Sequence, residues 1–250
     1  MDILTFGEKT STPVVFLHGW GGGFSSFIYF AKQISDRFYS IVCDMNPILN
    51  QGKVVEVKDF AVSLKEKLDY LQIKKVNLVG HSFGGRVIAK FCYLYPEMVE
   101  KIVLVDCAGL PPKRGMWYHI KVGWYKFNVF LANKNLIKKE RLLKFGSSDY
   151  KNLSPILKQS FKNIVNEDLT KCYSCIKKPT LIYWGKKDKD TPIYMAKKLN
   201  KLIEGSGLVV VDAGHFSYVE TSDKFLRVLF AFLWSERRDN EFKFVVKWAC

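Results

Sequence analysis

A serine in a glycine-rich turn is the first residue in this chain whose surroundings could do chemistry. Ser82 lies in the motif GHSFGG, residues 80–85, which follows a short apolar run and precedes a helix-like segment. A turn this sharp between strand and helix forces strained backbone angles and exposes the serine hydroxyl, and it needs glycine at the flanking positions. Ser82 is therefore the predicted nucleophile.

The general base can be chosen by elimination, because the chain has only four histidines. His215 follows the last predicted strand, on a loop at the sheet edge that faces the serine turn. His81 adjoins the serine and points elsewhere, His18 belongs to a glycine-rich loop, and His119 lies in a later insertion. An imidazole with a pKa near neutrality can both accept the serine proton and return it. His215 is the predicted base.

Three aspartates compete for the role of the acid that orients this histidine. Asp188 lies in a loop directly after a buried strand, where its carboxylate can reach the second imidazole nitrogen and fix the tautomer. Asp190, two residues later, and Asp106, at the end of the preceding strand, are the alternatives. All three agree with the chain order Ser, Asp, His that accompanies serine turns of this kind, and we favour Asp188 for its loop position.

A second glycine-rich motif, HGWGGG at residues 18–23, follows the first clear strand. Acyl transfer develops negative charge on a carbonyl oxygen, and a backbone N–H aimed at that oxygen lowers the barrier by roughly 3 kcal/mol. The Phe83 amide, directly after the nucleophile, and the Trp20 amide in this motif are the predicted pair. The motif lacks the Gly-Lys-Ser/Thr ending of a phosphate-binding loop.

The elements that must position these residues alternate between strand-like and helix-like segments. Short apolar runs predict strands at 12–18, 39–44, 76–80, 101–106, 180–184 and 208–211. Apolar residues at helical spacing predict helices at 26–37, 57–71, 84–95, from about 192, and at 223–237. Such alternation indicates an α/β fold with a mostly parallel central sheet and helices on both faces.

Residues 108–178 form an insertion between two strands of the predicted sheet, so the core domain comprises 1–107 and 179–250. The insertion contains helix-like segments that are rich in aromatic and basic residues. It follows the strand that ends at Asp106, and the carboxyl edge of an open α/β sheet is where ligands bind. We therefore predict a helical, basic cap that covers the substrate pocket.

The formal net charge is +15, and residues 107–178 carry fifteen Lys or Arg against four acids. We interpret these basic residues as the solvated surface of helices. The alternative is that their charge attracts anionic substrates, acidic lipid surfaces or nucleic acid. Arg86, just past the serine turn, could contact a charged substrate, although we expect a salt bridge at the surface or within the sheet. We expect a small substrate, no nucleic acid and no membrane contact.

Composition places the chain among ordinary globular proteins, with 48% hydrophobic and 25% charged residues. It shows neither a signal peptide nor an apolar run near the roughly 18 residues that span a bilayer, so we expect a cytoplasmic protein. We expect the six scattered cysteines to be buried, reduced thiols. The spacing of Cys172 and Cys175 is interpreted as incidental and not as a metal or redox site. The alternating tail, residues 241–250, is expected to pack against the body of the protein.

The motifs HGWGGG, GHSFGG, WGKKD and the later Gly-His, in this order over nearly the whole chain, resemble the α/β-hydrolase fold superfamily in its branch with a helical cap. The resemblance implies a triad of Ser82, Asp188 and His215. It also implies an oxyanion hole from the Trp20 and Phe83 amides, a cap that controls substrate choice, and no cofactor or metal.

From the triad and the resemblance we expect a carboxylesterase-like serine hydrolase that acts through an acyl-enzyme on an ester-like substrate that could be anionic. The alternatives are a thioesterase or carbon-carbon bond hydrolase on the same fold, and a non-catalytic member that binds a ligand or partner through its basic cap. Carbon-carbon hydrolases of this branch tend to carry Asn before the serine and Trp after the histidine. Here these positions are His81 and Phe216, which disfavours that alternative.

Overall fold

The computed structural model describes residues 1–113 and 153–235, and within these ranges a seven-stranded sheet forms the centre of the fold. The strands are β1 (Asp2–Phe6), β2 (Thr12–Leu17), β3 (Phe38–Asp44), β4 (Val76–His81), β5 (Val99–Val105), β6 (Thr180–Gly185) and β7 (Gly207–Val211). Their order is β1-β3-β2-β4-β5-β6-β7, and every neighbouring pair is parallel except β1 with β3. The predicted α/β class and mostly parallel sheet are confirmed.

Helices connect and cover these strands. In chain order they are α1 (Ile28–Ile34), α2 (Asn46–Leu49), α3 (Val57–Tyr70), α4 (Phe83–Leu94), α5 (Pro155–Asn166), α6 (Thr170–Ser174), α7 (Tyr194–Leu202), α8 (Ser217–Glu220) and α9 (Ser222–Trp234), with short 3-10 turns at Phe24–Ser26 and Pro96–Met98. The helix expected over 26–37 is shorter, because a 3-10 turn precedes it and the chain leaves helical geometry after Ser35. In the ranges that the structure describes, no helix has the length and apolar character needed to cross a membrane.

Alternate residues of the strands face two separate apolar layers. In β2, Val14 and Phe16 pack in the layer that contains α1 and α9, whereas Val15 and Leu17 pack in the layer that contains α3, α4 and α7. Strands buried on both faces are expected to be apolar almost throughout, and burial of each large side chain stabilises the fold by about 2 kcal/mol. The sheet is therefore a rigid support for the loops at its carboxyl edge.

The described end of the insertion packs on the core. Ser154 caps α5, its hydroxyl accepting the Leu157 N–H, and the Ser160 hydroxyl accepts a hydrogen bond of 3.0 Å from the Val55 N–H. Tyr173 donates to the Ala108 carbonyl oxygen at 2.7 Å. The aromatic and basic residues predicted for the cap between 114 and 152, His119 among them, and the tail at 241–250 lie outside the described residues. The division into core and cap stays a prediction.

Five cysteines of the described residues are free thiols. Cys43, Cys92, Cys107 and Cys172 are buried, and Cys175 is exposed. Burial raises the pKa of the Cys43 thiol to about 12, since a thiolate would lose its hydration there. Such buried thiols behave as small apolar side chains that help to fill the core.

Candidate active site

Ser82 joins β4 to α4 in a backbone conformation that residues other than glycine rarely adopt, with φ 50° and ψ −107°. Such strain costs on the order of 1–3 kcal/mol and persists only where the surroundings enforce it. The Ser82 N–H donates to the Val105 carbonyl oxygen at 3.0 Å, which ties the turn to β5. A Cβ at Gly84 would collide with the Leu17 carbonyl, so the close approach of α4 to β2 requires glycine.

The structure brings the three predicted triad residues together. His215 Nε2 lies 3.0 Å from Ser82 Oγ, and His215 Nδ1 lies 2.8 Å from Asp188 Oδ2. When Nδ1 donates its proton to the carboxylate, Nε2 presents a lone pair to the serine hydroxyl. This arrangement meets the geometric requirement for a nucleophile, a general base and an orienting acid.

Asp188 accepts three further hydrogen bonds that favour its ionised form. Its Oδ1 accepts the N–H groups of Asp190 and Thr191 at 2.8 and 2.9 Å, and its Oδ2 accepts the Thr191 hydroxyl at 2.6 Å. Burial by itself would raise the pKa of Asp188, but the hydrogen bonds from His215 and Thr191 outweigh it and lower that pKa. Sequence reasoning missed Thr191, since no motif marks a threonine three residues after an acid.

His215 is a stronger base than an ordinary histidine. Burial by itself would lower its pKa, but the hydrogen bond and the negative charge of Asp188 outweigh burial, and the pKa is raised. The buried carboxylate also stabilises the imidazolium that forms when the ring accepts a proton. The pair is thus prepared to take up the serine proton.

Neither alternative aspartate contacts the imidazole of His215. Asp190 is exposed, and its backbone N–H binds Asp188. Asp106 is fully buried; its Oδ1 accepts the Gly185 N–H at 2.8 Å, and its Oδ2 accepts both the N–H and the hydroxyl of Ser217, at 3.1 and 2.5 Å. Burial raises the pKa of Asp106 to about 7. Asp106 therefore lies behind the site and holds the loop that follows the histidine.

The His81 side chain contacts the histidine of the site. Its Nε2 lies 2.7 Å from the His215 carbonyl oxygen, and the two rings lie 4.8 Å apart between centroids. Burial lowers the pKa of His81 to about 3, so the ring is neutral and Nε2–H donates to that carbonyl. His81 thus holds the backbone of His215, a role that no sequence signal indicated.

The glycine-rich loop after β2 is held by hydrogen bonds at both ends. His18 Nδ1 donates to the Gly19 carbonyl oxygen at 2.7 Å, and His18 Nε2 accepts the Met45 N–H at 3.0 Å. Because Nε2 must be unprotonated to accept, its 3.4 Å approach to Asp44 is not an ion pair. Further along, the Asn46 side chain donates to a loop carbonyl at 2.8 Å.

The predicted oxyanion donors, Trp20 and Phe83, lie beside the serine and line the same cavity. Within residues 1–113 and 153–235, neither amide donates to a backbone oxygen. Their rings pack edge to face at 5.6 Å, and Trp20 packs likewise on Phe161 at 5.0 Å. The two amides are thus available next to the reacting hydroxyl, and their role stays a prediction.

A cavity of about 210 Å³ opens at Ser82. Its apolar wall combines residues of the core, of α5 and of α7, namely Trp20, Leu110, Phe161, Ile164 and Met195. As lined by the described residues, this cavity is smaller than the roughly 300–1,000 Å³ of pockets for drug-sized ligands, so it suits a small acyl group. An apolar wall with few polar groups is typical of a small-molecule site.

The salt bridge expected for Arg86 is not what the structure shows. Arg86 is 6% exposed and lines the cavity, and its guanidinium donates to the carbonyl oxygens of Val165 at 2.9 Å and Glu167 at 3.0 Å. No carboxylate among the described residues forms an ion pair with it. Among the described residues the expected salt bridge does not form, because α4 directs this side chain beneath α5 and toward its carbonyl oxygens.

Asp188, Asp190 and His215 form a group of potential metal ligands whose ligand atoms lie within 4.8 Å of one another. The oxygens of Asp188, however, already accept two backbone N–H groups, a hydroxyl and the imidazole N–H. Those hydrogen bonds would have to break before Asp188 could bind an ion. The donor set therefore fits an acid that orients a histidine better than it fits a metal site.

Comparison with known proteins agrees with the fold. The chain matches a family model described as alpha/beta hydrolase fold in two segments, residues 12–135 and 107–222. Among solved structures, the enol-lactonase from Burkholderia xenovorans LB400 superposes with a TM-score of 0.72 at 18% identity, covering 94% of this chain and 96% of that chain. At this identity the likeness shows the fold alone.

The curated relatives have similar sequence identity to this chain but differ from one another in their named activities. The dihydrolipoyllysine-residue acetyltransferase component of an acetoin cleaving system from Pseudomonas putida is 26% identical over 91% of this chain, which covers 65% of that protein's length. The 2-hydroxy-6-oxo-6-phenylhexa-2,4-dienoate hydrolase from Comamonas testosteroni is 27% identical, over 88% of this chain and 87% of that protein. The names of these relatives therefore do not agree on one reaction.

Proposed function

The chain belongs to the α/β-hydrolase fold family, and on this premise we propose that it is a serine hydrolase that cleaves a carboxylic ester through an acyl-enzyme intermediate. One observation carries the proposal. The imidazole of His215 lies between Ser82 Oγ, at 3.0 Å, and Asp188 Oδ2, at 2.8 Å.

In the first step Ser82 Oγ bonds to the ester carbonyl carbon, and its proton passes to His215 Nε2. The carbonyl π electrons move onto the oxygen, which the Trp20 and Phe83 amides then bind. When the tetrahedral intermediate collapses, the bond to the alcohol oxygen breaks, and that oxygen takes the proton from Nε2. The products are a free alcohol and an acyl group on the serine.

In the second step a water molecule reacts at the same carbonyl carbon. His215 Nε2 accepts a proton from the water, and the oxygen that forms bonds to the acyl carbon. The intermediate then expels Ser82 Oγ, which recovers its proton from Nε2, and the carboxylic acid leaves. Asp188 stays ionised throughout, which agrees with its lowered pKa.

The cavity supports a small, largely apolar acyl group, because its wall is mostly aromatic and aliphatic and its volume is about 210 Å³. We propose that the insertion at 108–178 serves as a cap and selects the substrate. Its described part contributes Phe161 and Ile164 to the cavity wall, which supports this role.

Labelling with a fluorophosphonate probe tests the proposal directly, together with hydrolysis of p-nitrophenyl butyrate. We expect the purified protein to be labelled, and Ser82→Ala to lose both labelling and hydrolysis. Ser63→Ala is the matched control, because Ser63 lies in α3, outside the site, and it should behave as the parent protein. Absence of labelling, or labelling that survives Ser82→Ala, would contradict the hydrolase and favour a member that only binds its ligand.

Carbon-carbon bond hydrolysis is the second candidate, favoured by the 27% identity to a dienoate hydrolase over 88% of the chain. Both reactions can use the same triad, so the geometry of Ser82 and His215 does not separate them. The two reactions are separated by an assay of a 2-hydroxy-6-oxo-dienoate beside p-nitrophenyl esters of increasing length. Turnover of the dienoate with a kcat/KM above that of every ester would replace the esterase proposal by this candidate.

A further inference from the structure

Arg86 is a cation inside the proposed substrate cavity. It lies in α4 four residues after Ser82, hence roughly 6 Å further along the helix axis, and both side chains line the same cavity. The side chain is 6% exposed. A charged group this deeply buried is rare unless another group compensates its charge.

Residues 1–113 and 153–235 satisfy only part of this guanidinium. An arginine has five N–H donors, and two of them bind the carbonyl oxygens of Val165 and Glu167. These carbonyls lie at the end of α5, whose negative dipole end offsets part of the charge. Within the described ranges, no carboxylate forms an ion pair with the remaining donors, and the Glu167 carboxylate binds Lys90 instead, at 2.5 Å.

Burial of the guanidinium has an energetic cost that a bound anion would reduce. Burial lowers the pKa of Arg86, whereas the charges of Glu167 and Asp168 act in the opposite direction. A carboxylate can accept two parallel N–H donors from one guanidinium, and such paired hydrogen bonds are about twice as strong as neutral ones. Asp190 also lines the cavity, but it is exposed, so water screens its charge.

We propose that Arg86 binds a carboxylate on the acyl part of the substrate, so that the enzyme prefers esters of short dicarboxylic acids. The inference rests on the proposed ester hydrolysis. The acyl part is the one assigned to Arg86, because it stays bonded to Ser82 through both steps inside a small cavity, whereas the alcohol must leave. Both side chains line one cavity of about 210 Å³, so the acid that reaches from Ser82 to Arg86 must be short.

The test compares monoethyl glutarate with ethyl hexanoate, which match in length but differ in charge, with acid release followed in a pH-stat. We expect wild-type kcat/KM to be at least tenfold higher for the glutarate, as for other sites that pair a buried charge. Arg86→Gln should lose about tenfold or more on the glutarate and less than threefold on the hexanoate. Arg86→Lys should recover part of the loss, because it restores the charge without the paired donors.

Lys65→Gln is the matched control, because Lys65 lies in α3, binds Asp69 and does not line the cavity. Its preference should equal that of the wild type. If Ser82-dependent hydrolysis of the hexanoate equals or exceeds that of the glutarate in the wild type, the assignment of Arg86 is overturned while the hydrolase stands. If Arg86→Gln does not fold, the wild-type ratio of the two kcat/KM values still tests the assignment. If neither ester is cleaved and Ser82 is not labelled, the proposed function itself fails.

Discussion

Two aspartates follow neighbouring strands of the sheet, and their environments differ in one respect that decides their roles. Asp106 follows β5 and Asp188 lies in the loop after β6, and both are buried. The carboxylate of Asp188 contacts the imidazole of His215, whereas the carboxylate of Asp106 contacts the N–H and hydroxyl of Ser217, two residues further on. One acid therefore binds the reacting side chain and the other binds the loop that carries it.

The difference in partner also separates the pKa values of the two acids. At Asp188 the hydrogen bonds from His215 and Thr191 outweigh burial and lower the pKa. At Asp106 burial outweighs the donors from Ser217 and Gly185, and the pKa rises to about 7. Burial alone therefore does not distinguish the two acids. What distinguishes them is the donor, because the imidazole that binds Asp188 can become a cation.

The largest contrast between the two acids should appear when Asp188 is replaced by asparagine. Asp188→Asn keeps the shape of the side chain but allows the wrong imidazole tautomer, so kcat for p-nitrophenyl butyrate should fall about 10⁴-fold. Asp190→Asn, an exposed neighbour, is the control and should stay within about threefold of the wild type. A loss under tenfold for Asp188→Asn would mean that Asp188 is not the orienting acid.

The pH profile sharpens this first prediction. A general base works when neutral, so wild-type kcat/KM should rise with pH through a pKa above the ordinary 6.5 of histidine, since the pKa of His215 is raised. Asp188→Asn removes the main cause of that increase, and the residual activity should rise at a lower pH. An unchanged inflection in the variant would show that another group raises this pKa.

Replacement of Asp106 by asparagine should have a smaller effect on rate. The amide cannot accept every hydrogen bond that Asp106 receives, and loss of about 1.4 kcal/mol of positioning corresponds to about a tenfold decrease in kcat. The negative charge of Asp106 also contributes to the raised pKa of His215, so the inflection of the pH profile should move down. A loss as large as that of Asp188→Asn would erase the contrast between the two acids.

The same variant should alter how stability depends on pH. Because the folded pKa of Asp106 is about 7 and its ordinary value is 3.8, the folded protein binds more protons than the unfolded chain between these values. This group's contribution to the free energy of unfolding therefore falls as pH rises from about 4 to about 7, by up to about 1.4 kcal/mol per unit. The difference between wild type and Asp106→Asn in urea unfolding should decrease over that range; a flat difference would contradict the raised pKa.

The smallest effect is expected at Thr191, which links the two acids. Its hydroxyl lies 2.6 Å from Asp188 Oδ2 and 3.0 Å from the Asp106 carbonyl oxygen. Thr191→Val removes about 1 kcal/mol of this support, so kcat should fall about fivefold, while the backbone N–H still binds Asp188. Thr170→Val, at an exposed helix start, is the control and should leave kcat unchanged; equal losses in both variants would rule out a role specific to Thr191.

The sequence by itself determined the class of fold and predicted the nucleophile and the base of the site. Apolar runs that alternate with helical spacing identify a parallel sheet covered on both faces, because such strands are buried on both sides. The glycines around Ser82 identify the strained turn, since only glycine allows the close approach that the turn needs. The position of His215 after the last strand then predicted the base that lies 3.0 Å from Ser82 Oγ, and the acid was narrowed to three aspartates.

Only the tertiary structure decided between acids and assigned the supporting residues. Asp106 and Asp188 both follow strands in the sequence, and which carboxylate reaches the imidazole depends on loop geometry that no local pattern encodes. The contact of His81 with His215 and the burial of Arg86 beneath α5 join residues more than 75 positions apart. Such contacts arise from the packing of distant elements, and hydrogen-bond partners of this kind cannot be inferred from spacing along the chain.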